Sequence, residues 1–91
     1  RVERDGRVVV VLEITPEASR RWRGLSPRER QIATLVGHGW TSAQIAQELG
    51  IREKTVKTHL ARVFSKLAVQ SRAAVASLAA IANAALSSED D

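Results

Sequence analysis

The sequence predicts an all-α domain, and three observations predict it. Four stretches between residues 25 and 86 carry apolar residues at helical spacing. Three of the four open on a Ser or Thr suited to capping a helix. The one β-branched run, at residues 7–14, has no second strand to pair with.

Each element follows from its own residues. Asp5-Gly6 is a turn signal, and the run after it, with four consecutive valines, reads as a short strand buried on both faces. Such a strand fits the end of an upstream sensory domain, and the initial Arg in place of Met fits a fragment of a longer chain. Thr15-Pro16-Glu17 then starts a short helix or turn carrying Arg20, Arg21 and Trp22, with Gly24 closing it. Residues 1–24 are therefore expected to be a strand and an Arg-rich linker, residues 25–86 the domain, and residues 87–91 an acidic tail.

Within the domain, Ser26-Pro27-Arg28-Glu29 is a capping box with proline at the first helical position. Its helix turns Ile32, Leu35 and Val36 inward and ends at His38-Gly39. Thr41-Ser42-Ala43-Gln44 is a second box, opening a short helix with Ile45, Ala46 and Leu49 inward and Gly50 as the turn. The third helix, over 53–67, carries one apolar stripe of Val56, Leu60, Val63, Phe64 and Leu67. Its other face is Lys54, Lys57, Thr58, Ala61, Arg62 and Ser65. The fourth, capped by Ser71 and running to about residue 86, points Val75, Leu78, Ala79, Ala82 and Leu86 at the core.

A short helix, a glycine turn and a longer helix with one apolar stripe is the helix-turn-helix layout. The second helix must be anchored so that its other face projects. That face must lack carboxylates, which phosphates would repel, and must offer groups that reach base edges. Residues 53–66 meet these conditions, with Glu53 at the start serving the helix dipole. Lys57 and Thr58 are the expected base readers, with Ala61 able to touch a thymine methyl. Lys54, Thr55, His59, Arg62 and Lys66 suit the phosphate backbone. So do Thr41, Ser42 and Gln44 at a helix N-terminus.

Charge points the same way. The net charge is +4, yet residues 20–72 hold eleven Lys and Arg against three acids. A field of that sign favours a polyanion. With no cysteine there is no disulfide or thiolate metal site, as is usual in a reducing cytosol, so a cytoplasmic location is expected. No apolar run reaches membrane-spanning length and nothing reads as a signal peptide. No cofactor is expected.

These residues resemble the C-terminal DNA-binding domain of LuxR/FixJ-type regulators across 25–76. The resemblance rests on Leu25-Ser26-Pro27-Arg28-Glu29-Arg30, on Gly39-Trp40-Thr41-Ser42-Ala43-Gln44-Ile45-Ala46 and on Leu49-Gly50-Ile51. It continues through Thr55-Val56-Lys57-Thr58-His59-Leu60, Lys66-Leu67 and Ser71-Arg72. It implies a four-helix domain whose third helix enters the major groove and which binds two half-sites as a homodimer, with RNA polymerase a further partner. It implies that Glu29 orients a basic group instead of touching DNA. It also implies dimer contacts on the last helix, where Leu78, Ala80, Ile81, Ala84 and Ala85 broaden the apolar surface. Position 61 is often basic in such domains but is Ala here. Arg52 stands where a Ser or Asp cap is usual, weakening that helix start by roughly 1 kcal/mol. Ala68 replaces the common Gly.

Other readings fare worse. Neither His38 nor His59 has the carboxylate, serine or ligand companions that catalysis or a metal would need, so no enzyme is expected. A sigma-factor helix-turn-helix shares the Ile45-Ala46 to Ile51 pattern but not His59 after Thr58, nor the fourth helix. A dimerisation module that has lost DNA binding would not need a basic face free of acids.

Overall fold

In the computed structural model, which describes residues 15–87, the Thr15 hydroxyl accepts from the Ala18 N–H at 3.1 Å and starts α1 (Pro16–Arg23). Four helices follow: α2 (Pro27–Gly37), α3 (Ser42–Leu49), α4 (Glu53–Leu67) and α5 (Arg72–Ser87). Among the described residues the fold is all-helical. The strand expected at residues 7–14 lies outside them, as do residues 88–91.

Local chemistry sets most of the boundaries. Ser26 and Glu29 close their capping box in both directions, at 3.1 and 2.8 Å, and Thr41 and Gln44 close theirs at 3.1 and 2.9 Å. Each box satisfies two backbone donors that a helix start leaves unpaired. The far ends of α2, α3 and α4 share one design. A residue with positive φ follows the helix, and the next N–H reaches back five residues, from Trp40 to Leu35, Ile51 to Ala46 and Val69 to Phe64. This is the Schellman arrangement. Gly39 (φ +86) and Gly50 (φ +66) fill the left-handed position in the first two, and Ala68 (φ +57) fills it in the third.

One core joins all five helices. Ile32 and Val36 of α2, Ile45 of α3, Val56, Leu60, Val63 and Leu67 of α4, and Val75, Ala79 and Ala82 of α5 are buried in it. Trp22 of α1, 1% exposed, belongs to the same cluster, and α1 packs against α4 and α5. The packed unit therefore begins ahead of Leu25, and the short helix or turn expected from Thr15-Pro16-Glu17 is a helix that packs on the core. Arg30 fastens the junction, its guanidinium donating to the carbonyls of Arg23 and Leu25.

The α2–α5 packing is close because of one glycine. A Cβ built on Gly37 would meet the Ala79 Cβ at 3.1 Å, so the last turn of α2 rests on an alanine of α5. Further along, the Asn83 amide donates to the Thr34 hydroxyl at 3.2 Å and ties the same pair. The expected core residues of α5 separate by depth. Val75, Ala79 and Ala82 are buried and Leu78 is half-buried.

Candidate nucleic-acid interface

α3, the Gly50 turn and α4 form the helix-turn-helix. Four residues of α4 fix its rotation: Val56 and Val63 are fully buried, and Leu60 and Leu67 nearly so. With that stripe inward, Lys54, Thr55, Lys57, Thr58, Ala61, Arg62, Ser65 and Lys66 are exposed. From Lys54 to Lys66 this surface carries no carboxylate. The sole acid of the helix, Glu53, sits in its first turn.

Several of these groups already have partners. The Glu53 carboxylate lies 3.5 Å from the Lys57 ammonium, a pair in which both side chains are at least half exposed. An ion pair so exposed contributes little and gives way readily to a stronger anion. The Thr58 hydroxyl donates to the Lys54 carbonyl one turn earlier, at 3.0 Å. His59 is half-buried, and its Nδ1 is enclosed with no hydrogen-bond partner. Any bond His59 makes to a phosphate must therefore come from Nε2.

Lys66 has a different role from its neighbours. Its ammonium lies 2.7 Å from the Glu29 carboxylate, which is 4% exposed. Hydrogen bonds from Lys66 and from the Ser26 N–H hold the Glu29 carboxyl below its ordinary value, against the desolvation that would raise it. The basic partner that the family resemblance implied for Glu29 is thus Lys66. One carboxylate caps α2 and anchors the far half of α4.

The second cluster is at the start of α3. Thr41, Ser42 and Gln44 come together there with Thr41 and Gln44 exposed. The Gln44 Oε1 accepts from the Thr41 N–H, which leaves its NH₂ group to donate elsewhere. Sequence reasoning missed the residue that braces this corner. Arg72, at the start of α5, donates to the Ser42 hydroxyl at 3.2 Å and to the Trp40 carbonyl at 2.7 Å. It places a guanidinium against the loop that presents α3, from 30 residues away in sequence. Only its presence in the Ser71-Arg72 motif hinted at a role.

On α5, Ala80 and Ala84 are exposed, while Leu78 and Ile81 are half-buried. The side chain of Ala85 lies outside the described residues. These positions belong to a different helix from the basic face, and the structure does not bring the two sets together.

These residues match a known family. The model for luxR-family bacterial regulatory proteins matches residues 23–79, more than half of the chain. The chain belongs to the luxR family. It is similar to the transcriptional regulatory protein LiaR of Bacillus subtilis, with 39% identity over 67 residues, covering 74% of this chain and 32% of LiaR. The two-component response regulator PprB of Pseudomonas aeruginosa is 44% identical over 52 residues, or 57% of this chain and 19% of PprB. A third relative, "Probable transcriptional regulatory protein SgaR" of Hyphomicrobium methylovorum, is 43% identical over 54 residues, 59% of this chain and 26% of that protein. The chain spans a third or less of each of these curated relatives. As a luxR-family helix-turn-helix domain it is a DNA-binding, non-enzymatic module of transcription regulators. No single described helix is long and apolar enough to cross a membrane.

Proposed function

We propose that this domain binds double-stranded DNA sequence-specifically as a homodimer, with α4 in the major groove, and so regulates transcription in the cytoplasm. The observation that carries the reading is the carboxylate-free face from Lys54 to Lys66, held outward by a buried stripe on the same helix. Lys57, Thr58 and Ala61 face base edges. Thr41, Ser42, Gln44, Lys54, Thr55, His59 and Arg62 take phosphates. Lys66, whose ammonium also holds Glu29, joins them through its remaining donors. Leu78, Ala80, Ile81, Ala84 and Ala85 of α5 meet their counterparts in a second copy, since small side chains let two helices approach closely. RNA polymerase is a further partner of the DNA-bound dimer.

The test is an unbiased selection of bound duplexes from a random pool at near-physiological salt. An enriched inverted repeat with half-sites about one helical turn apart supports a dimeric, sequence-specific binder. Enrichment of single half-sites would sink the dimer. A pool with no enriched sequence would leave only the salt-dependent attraction of a basic surface for phosphate.

A further inference from the structure

Thr58 has two chemically different branches on its β-carbon, and the structure commits one of them. A hydroxyl has a single proton, and here that proton goes to the Lys54 carbonyl at 3.0 Å. It is not available to the O6, N7 or O4 acceptors that a base presents in the major groove. Redirecting it would forfeit a hydrogen bond inside the helix. With Oγ1 engaged to the preceding turn, exposed Thr58 has its Cγ2 methyl to offer a partner. Ala61, three residues later and also exposed, offers only its own methyl. Side chains three apart on a helix are neighbours, with β-carbons about 5–6 Å apart.

We propose that Thr58 and Ala61 form an apolar strip that reads the 5-methyl groups of thymines by contact, with no hydrogen bond donated by Thr58 to a base. This rests on the reading that α4 occupies the major groove. The surroundings agree with it. The nearest charged base reader, Lys57, donates and never accepts, so it matches guanine O6 and N7. The exposed groups from Lys57 to Arg62 include no carboxylate or carboxamide to accept from the amino groups of cytosine or adenine. A face of donors and methyls selects guanine and thymine on the edge it reads.

The experiment uses the duplex recovered by selection, with each thymine replaced in turn by deoxyuridine, which differs only in lacking the methyl. Loss of one or two particular methyls should weaken binding of the unaltered protein about fourfold each. The Thr58→Val variant should keep the same preferred sequence and the same deoxyuridine sensitivity. Thr58→Ser, which retains the hydroxyl and loses the methyl, should become indifferent to deoxyuridine at one of those positions. Helicity by circular dichroism confirms that each variant is folded. If no deoxyuridine substitution weakens the unaltered protein, or if Ser preserves the preference and Val abolishes it, this inference is overturned while α4 remains in the groove. If the unaltered protein enriches no sequence at all, both readings fall together.

Discussion

α2 and α4 are the two helices that share the Glu29–Lys66 bond, yet they are held in different ways. α2 starts on a complete capping box and ends on a glycine in the left-handed conformation. α4 starts on Arg52, whose side chain makes no capping bond, and ends on Ala68, an alanine forced to φ +57. Local signals define the supporting helix. α4 depends on tertiary contacts, namely four buried apolar residues and one buried carboxylate at its far end. A helix with weak termini is thus held by its packing and by one ion pair from a neighbouring helix.

The largest effect should come from cutting the tertiary anchor. Leu60→Ala, at a position 6% exposed, should lower unfolding stability in urea by about 2–5 kcal/mol. If the loss is under 1 kcal/mol, α4 is not held by its stripe.

Next comes Glu29→Gln, which should cost about 2–3 kcal/mol, less than a fully buried pair because Lys66 is 43% exposed. Its pH dependence has a definite sign. Glu29 titrates below its ordinary value of 4.5 in the folded chain, so its contribution is fully present above that value. The contribution disappears as pH falls through the depressed folded value. The gap between the unaltered protein and Glu29→Gln should therefore narrow only in acid. A gap independent of pH would mean that shape, not charge, accounts for the loss.

Repairing the termini should have smaller effects of the opposite sign. Ala68→Gly relieves the left-handed strain and should stabilise by about 1 kcal/mol, raising Tm by several degrees. Arg52→Ser places a capping hydroxyl where the backbone is already extended (φ −79, ψ 148) and should add about 0.5–1 kcal/mol. Should either change destabilise, the contrast drawn between α2 and α4 would need revision.

What the sequence revealed and what it hid divide along the same line. Both capping boxes, the glycine at each of two helix ends, the weak Arg52 start and the stripe of α4 are matters of residues three to five apart. All of them could be read directly. The exposed face of α4 followed from its stripe, so the candidate site was legible as a set. Its internal commitments were not. Nothing local says that Lys66 lies against Glu29, 37 residues away, or that Arg72 reaches Ser42 and Trp40. Those bonds form only once α2, α4 and α5 have packed. The Thr15-Pro16-Glu17 start of α1 was legible in the same local way, but its docking was not, since only Trp22, one residue in eight, is buried.

The placement of the tryptophans has a practical consequence. The chain has two and no tyrosine, so its ultraviolet emission belongs to Trp22 and Trp40 alone. Trp22 is sealed in the core, and Trp40 is half-buried beside the Arg72-braced start of α3. The first indole reports on unfolding. The second sits at the corner proposed to take phosphates. With Trp22 replaced by phenylalanine, the remaining fluorophore would follow engagement of that corner without any attached dye.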